Sequence, residues 1–422
     1  MNYKKTDIKK GITLHQINTN KFKTNLIAVF LTTKLERKNV TKNALISSIL
    51  RRGSKKLKSQ EEISKKLEEM YGAEFDCGLD KTGDNQVLKF YIETINDNFL
   101  PKNSSNLLQE SIENILDIAL NPYTEKDGFK EEYLNQEKNN IKQIIEGKID
   151  NKARYALDRC IEEMYKNESF GLFKYGYIED LEKISSKDLY EHYKELINDC
   201  KIDIFVSGII DDKLEEIIKN NENISKLKER IAKFNKPTIA KKEKVEENVV
   251  IENMDITQGK LILGLDVDIE DEKLKYDTLL YNSILGGSAN SKLFQNVREK
   301  ANLAYVASSS YLRYKNNIFI KCGIDIENYE KALEIIKKQI EDMANGDFSE
   351  EDIQNSKKGI IASIKTIDDE QDTQITFYFG QELSNNQISV DEYIKKVQEV
   401  NKNEIINIAK NVRVNTIYFL RN

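Results

Sequence analysis

"NLIAVFLTTKLERKNVTKNALISSILRRGS", Asn25 to Ser54, returns later in the chain as "KLILGLDVDIEDEKLKYDTLLYNSILGGS", Lys260 to Ser288. An offset of 235 residues lays Ser48-Ile49-Leu50 on Ser283-Ile284-Leu285 and Leu26-Ile27 on Leu261-Ile262. Each copy reads as an apolar β-run, a charged turn and a helix that stops at glycine. Such an internal repeat has to be weighed before any local feature.

Two further pairs follow in the same order. "FKEEYLNQEKNNIKQII" from Phe129 matches "FSEEDIQNSKKGIIASI" from Phe348, each an amphipathic helix that opens with acids, as the helix dipole favours. "LEKISSKDLYEHYKELI…IDIFVSG" matches "VQEVNKNEIINIAKNV…TIYFLRN". Both of these begin at a capping box, Ser185 with Asp188 and Asn401 with Glu404, and continue through a helix into a closing strand. Three matched pairs predict an α+β fold of two homologous halves, each a mostly antiparallel sheet flanked by helices, closing into a clam-like body with a cleft between its lobes. The halves are residues 1–224 and 249–422. Between them, residues 225–248 are dense in charge and carry Pro237, one of only three prolines, and so read as a linker.

At 422 residues the chain is long enough for more than one core. Hydrophobic residues at 39% and charged residues at 32%, interleaved along helices, argue for a globular class and against disorder. The formal net charge of -6 disfavours nucleic acid and anionic lipid as partners. The N-terminus "MNYKKTDIKKGITLHQ" has no apolar leader, and no run approaches the roughly 20 apolar residues needed to span a bilayer. A cytoplasmic, membrane-free protein is expected. Cys77, Cys160, Cys200 and Cys322 form no C-x-x-C and read as reduced, buried thiols.

The densest local signal is "LGGSANSKLFQNVREKANLAYVASSSY", Leu285 to Tyr311. Gly286-Gly287 reads as a helix–loop–helix junction where only glycine tolerates the backbone. It is not a phosphate loop, because G-x-x-x-x-G-K-[ST] is missing. Arg298 falls in the last turn of a helix, and Tyr305 in a strand where it would share a face with Leu303 and Ala307. Two readings stay open on spacing alone. Arg298 complements a helix C-terminus while Tyr305 packs on the sheet, or guanidinium and phenol project together and donate hydrogen bonds to a peptide carbonyl.

That segment resembles the C-terminal-half signature of the insulinase/pitrilysin metallopeptidases, in which a glycine loop leads to an R-E-K-x-x-L-A-Y run. "LKSQEEISKKLEEMYGAEFDCGL" is similar to the helix that follows the family's metal motif, so the resemblance spans nearly the whole chain. It implies substrate binding by Arg298 and Tyr305, with Gly286 and Gly287 shaping the loop. It also implies an H-x-x-E-H in the first half, whose two histidines hold zinc and whose glutamate activates water. Counted back from the Gly53-Ser54 turn, those positions are Ala44-Leu45-Ile46-Ser47-Ser48. Ala44 and Ser48 stand for the histidines and Ser47 for the general base. With Glu137 taken as the first acid of the later helix, Ile144 stands where the third ligand would be.

The chain has only two histidines, His15 and His192, and no H-x-x-x-H. His192 follows Asp188 by four residues and reads as an ordinary helical pair. No metal and no cofactor are therefore expected in this chain, and no catalysis by it alone. The resemblance implies a non-catalytic, substrate-positioning subunit of a heterodimeric zinc peptidase, whose homologous partner carries H-x-x-E-H and the zinc and which acts on peptides in an enclosed chamber. The alternative is a peptide-binding or scaffolding pseudoenzyme with no proteolysis. A self-sufficient enzyme of other chemistry fits worse, since neither G-x-S-x-G nor a Cys–His pair can be assembled. In isolation the chain could also form a homodimer.

Overall fold

The computed structural model describes residues 2–101, 106–237 and 246–422. It contains two compact units. Unit 1 comprises Met1–Glu146, Leu172–Lys236 and Ile367–Asn386; unit 2 comprises Gly147–Gly171, Pro237–Thr366 and Gln387–Asn422.

Unit 1 holds a six-stranded sheet built from β1 (Asn2–Lys9), β2 (Ile12–Asn18), β3 (Thr24–Lys34), β4 (Glu74–Thr82), β5 (Asn85–Ile95) and, after a small β6–β7 ribbon (Thr124–Glu125 with Gly128–Phe129), β8 (Lys201–Gly208). The order is β1-β2-β8-β3-β5-β4, antiparallel throughout except for β2 beside β8. Unit 2 holds β9 (Asn248–Asn253), β10 (Gly259–Val267), β11 (Ala304–Leu312), β12 (Asn317–Ile324) and β13 (Val412–Arg421) in the order β11-β12-β10-β13-β9, with β9 parallel to β13 and the rest antiparallel. Run from its other edge, the second sheet reproduces β2-β8-β3-β5-β4 strand for strand and direction for direction. The predicted duplication is thus a repeat of topology, and β1 is the one strand added to the first copy.

The matched helices form as their sequences dictate. Helices Glu131–Glu146 and Glu350–Lys365 both open on acids, and Asn401 and Glu404 make a complete capping box for helix Lys402–Ala409. Ser185 caps Ser186–Asp199 by accepting from the Asp188 amide.

The compact units do not follow the two sequential halves. Helix Lys152–Met164 precedes the linker, yet it packs on β10 and β13 of unit 2, where Ala156, Cys160 and Ile161 join Ile262, Phe319 and Tyr418 in one core. Helix Gln371–Ser384 comes from the second half and lies on β8 and β3 of unit 1. The reason is visible in β3, an unbroken apolar run. Ile27, Val29 and Leu31 face the core under unit 1's own helices, so Phe30 faces the other way. Phe379 of the incoming helix covers Phe30 at a ring-centroid distance of 4.7 Å. The predicted linker is partly structured too: Arg230 donates Nη1 to Ile197 O at 2.8 Å, and Asn235 and Asn85 bond reciprocally, all within unit 1. Residues 238–245 of that linker lie outside the described ones. Among the described residues no helix is long and apolar enough to cross a membrane.

A polar cluster joins the incoming helix to the sheet. His15, fully buried, lies 2.9 Å from Asp203 through Nε2 and 2.8 Å from the Tyr3 hydroxyl through Nδ1. Asp203 also binds the Lys201 ammonium, which reaches Glu382 of the helix at 3.1 Å, and Lys5 reaches Glu382 at 2.8 Å. Burial alone would raise the Asp203 carboxyl, but Lys201 and His15 outweigh it and hold it down to about 2.

Two outcomes are expected in denaturant unfolding. Phe379→Ala should cost about 3–5 kcal/mol, because a packed ring leaves a cavity against Phe30 and Phe205. The contribution of Asp203 is present above its unfolded value near pH 4 and is lost as pH falls toward 2, so Asp203→Asn should remove roughly 2–3 kcal/mol of the acid-side slope.

Candidate functional site

In unit 1 the positions to examine lie on helix Val40–Leu50, buried along most of its length. Ala44 is 1% exposed and presents only a methyl group. Ser47 is spent on structure, its hydroxyl donating to Gly78 O of β4 at 3.2 Å. Ser48 is half-buried on the same helix. The helix packs against Glu131–Glu146, whose Glu137 is 3% exposed and bound by the Arg52 guanidinium, with Asn140 Nδ2 donating to its second oxygen at 3.2 Å. Ile144, further along that helix, is an exposed aliphatic. Cys77 of β4 lies beside Ser47, and burial pushes its thiol up to about 11, well away from the thiolate needed to ligate a metal. These residues do not fit a zinc ion: they offer a methyl, two hydroxyls and a sec-butyl group, and the Glu137 carboxylate is held by the Arg52 guanidinium. Among the described residues no group of three His, Cys, Asp or Glu side chains could hold a metal.

The histidines serve structure. His192 does not pair with Asp188, which bonds instead to the Ser185 cap. Its Nε2 lies 2.8 Å from Asn43 Oδ1. Asn43 donates Nδ2 to Gln86, and Gln86 donates Nε2 to the carbonyls of Val40 and Lys174. That relay orients the Asn43 oxygen as an acceptor, so the proton sits on Nε2. Burial, then Lys42 and Lys38, bring His192 down to about 4, and it is neutral at pH 7. A cleft of about 390 Å³ over it, lined also by Thr41, Lys42 and Lys183, holds none of the predicted site residues.

In unit 2 the segment Phe294–Lys300 is a π-helical turn, a conformation frequent at functional sites. Arg298 lies in it, its guanidinium 4.6 Å above the Phe294 ring and its side chain 44% exposed. Asn302, at a left-handed φ of 53°, closes the turn by donating to Arg298 O at 3.0 Å, and β11 begins two residues later. Tyr305 departs from the expected alternation. Ala304 pairs with Ile324 and Val306 with the next residue back, Gly323, which leaves Tyr305 as the extra residue of a β-bulge. Leu303 and Ala307 are buried while Tyr305 is 66% exposed, so the three share no face. Gly286 and Gly287 are needed for closeness rather than for dihedral freedom. Gly287 has an ordinary helical conformation, but a Cβ on Gly286 would meet Ser309 N of β11 at 2.6 Å and one on Gly287 would meet Ser283 Cα at 2.8 Å. Gly286 therefore lets helix Leu274–Gly286 seat against the strand that bears Tyr305, whereas Gly287 fits closely against the last turn of its own helix. β11 is an edge strand, so the phenol and the guanidinium occur on exposed, adjoining elements of one unit.

The chain is similar to known proteins along its whole length. Residues 183–360 match the model of the peptidase M16 inactive domain. "Probable inactive metalloprotease YmfF" of Bacillus subtilis is 33% identical over 412 residues, covering 97% of this chain and 96% of that protein. A crystal structure of a conserved protein from Enterococcus faecalis superposes with a TM-score of 0.88 at 27% identity, over 100% of this chain and 99% of that one. The peptidase M16 inactive domain from Pseudomonas fluorescens shares the fold at a TM-score of 0.81 and 14% identity, over 100% and 98%.

The Arg52–Glu137 pair was invisible in the sequence, and it makes a prediction. Arg52→Ala should destabilise by about 3–5 kcal/mol because it strands a buried carboxylate, whereas the apolar double variant Arg52→Met/Glu137→Leu should cost far less. Thermal and denaturant unfolding of the two variants would decide.

Proposed function

The chain belongs to the M16 peptidase family, as one of its non-catalytic members, and from that premise we propose that it is the substrate-positioning subunit of a two-chain peptidase whose homologous partner carries the zinc site. One observation supports the reading: the positions that the family resemblance implies for metal and base hold Ala44, Ser47, Ser48 and Ile144, while Arg298 and Tyr305, which it implies for substrate, are exposed. An exposed guanidinium, 4.6 Å above the Phe294 ring and 3.6 Å from Glu299, and an exposed phenol on the adjoining strand are groups suited to orienting a substrate backbone.

In this role bond cleavage is the partner's chemistry. Arg298 offers a planar fork of N–H donors and Tyr305 a hydroxyl, and both can donate to main-chain carbonyls of an extended peptide whatever its side chains. The peptide itself would add as a strand to a sheet edge of the partner, with Arg298 and Tyr305 orienting its backbone. Holding a scissile bond in register with a catalytic centre can lower the barrier by several kcal/mol with no reacting group of its own.

The test is reconstitution with a homologous chain that contains H-x-x-E-H. Arg298→Ala and Tyr305→Phe should each lower kcat/KM of the complex by about 10- to 100-fold, which is about 1.4–2.8 kcal/mol of transition-state stabilisation, while the complex still assembles. Unchanged turnover by an intact complex would overturn the assignment. Peptide binding by this chain, with no cleavage in any such complex, would favour a peptide-binding scaffold.

A further inference from the structure

Buried polar groups in folded chains are almost always hydrogen-bonded, and a group that is not calls for a ligand, an ion or strain to account for it. Two such groups stand together in unit 2. Arg313 lies in the turn that joins β11 to β12, and its Nε is buried without a hydrogen-bond partner. Tyr276, in helix Leu274–Gly286, is 2% exposed, and its hydroxyl is buried and unpartnered as well. Tyr393 of helix Val390–Glu399 adjoins both, with its ring 5.1 Å from the Tyr276 ring and 5.6 Å from the Arg313 guanidinium. Burial pushes the Tyr276 phenol up to about 12 and the Arg313 guanidinium opposes that rise, as a close cation must.

The surroundings do not supply the acceptor that these donors lack. Among the described residues Arg313 forms no ion pair, and the groups that act on it are the rings of Tyr276, Tyr311, Tyr314 and Tyr393. A ring face attracts the charge of a guanidinium but leaves its in-plane N–H donors unanswered. Glu272, a carboxylate felt at Tyr276 and Tyr311, is already bound by Lys275 at 2.6 Å. A second cation, Lys396, stands 5.4 Å from the centre of the Tyr276 ring and also forms no ion pair among the described residues. Glu392, one turn before it, is engaged by the amide and hydroxyl of its Ser389 cap. Two cations and a buried phenol thus converge where no acid answers them. Arg313 and Lys396 are both only partly buried, which leaves a way in from solvent.

We propose that Arg313 and Tyr276 form an oxyanion site, with Lys396 as its second cation, that takes the carboxylate or phosphate group of a small ligand. The edge of the guanidinium carries parallel N–H donors that match two oxygens of either group. The Tyr276 hydroxyl donates one further hydrogen bond, and Lys396 adds charge without fixing direction. No bond is made or broken there. The site lies beyond the end of β11 opposite to the one that bears Tyr305, and its use is independent of peptide positioning by Arg298 and Tyr305.

Titration calorimetry of the full chain, at an ionic strength held constant with chloride, should show one-to-one binding of inorganic phosphate, of phenylacetate or of both, at about 1 mM or below. Phosphate alone would assign the site to phosphate groups and phenylacetate alone to carboxylates, whereas binding of both would make it general for oxyanions. Arg313→Gln removes the charge and Tyr276→Phe a single oxygen, and each should weaken binding at least about tenfold. Melting curves separate a ligand site from a strut. In buffer free of both anions, Arg313→Gln should melt at the wild-type temperature or above it, because it removes an uncompensated cation, and the bound anion should raise the melting temperature of the wild type only. The proposal is overturned if neither anion binds up to about 10 mM, or if binding survives Arg313→Gln. A lower melting temperature for Arg313→Gln in the anion-free buffer would also overturn it, since the arginine would then be a prop for the tyrosine rings.

Discussion

A β-sheet whose strands are apolar on both faces must be covered twice, and this requirement organises the whole chain. β3 is buried at nearly every position, with Ile27, Val29 and Leu31 turned to one side and Phe30 to the other. Unit 1's own helices cover the first side. The second is covered by Gln371–Ser384, delivered from the far end of the chain, and unit 2 obtains Lys152–Met164 from the first half by the same logic. Each unit is thus completed by a helix that its own half of the sequence does not supply, and neither contiguous half contains a finished core.

The helix on unit 1 is held by more than apolar packing. Phe379 fits against Phe30 and Phe205, and Tyr378 stacks on Tyr3 at 4.0 Å. Beside them Glu382, Lys201, Asp203, His15 and Lys5 form a connected set of charges and hydrogen bonds. Buried ionic groups contribute little net stability against an apolar alternative, but they penalise any seating that leaves one of them unpaired. In this chain Glu382 of the incoming helix is the member that ties it to Lys5 and Lys201 of the sheet. One of the two histidines is thereby committed to architecture, and the other is bonded to the Asn43 oxygen that Gln86 holds in place.

The two regions that the family resemblance marked have diverged in opposite ways. Helix Val40–Leu50 has become ordinary core: Ser47 bonds to a backbone carbonyl, and Arg52 neutralises the remaining acid, Glu137. Around Arg298 and Tyr305 the backbone is irregular instead, with a π-helical turn, a left-handed Asn302 and a bulge in three successive steps. Irregular backbone costs free energy and persists where it presents something. That contrast is the structural basis for proposing that the chain positions substrate and does not cleave it.

The repeat, the β–turn–helix order of its copies and the capped helix starts were legible in the sequence, because each depends on neighbours within a few residues. Strand periodicity suggested Tyr305 on the face of Leu303 and Ala307, and only pairing with β12 revealed the extra residue that turns it outward. The sequence marked Gly286 and Gly287 but not the Ser309 amide that excludes a side chain at the first of them. The exchange of helices and the Arg52–Glu137 pair were decided by tertiary structure alone. Each depends on contacts between residues distant in the chain, and local propensity carries no information about which distant surface a helix face or a strand edge will meet.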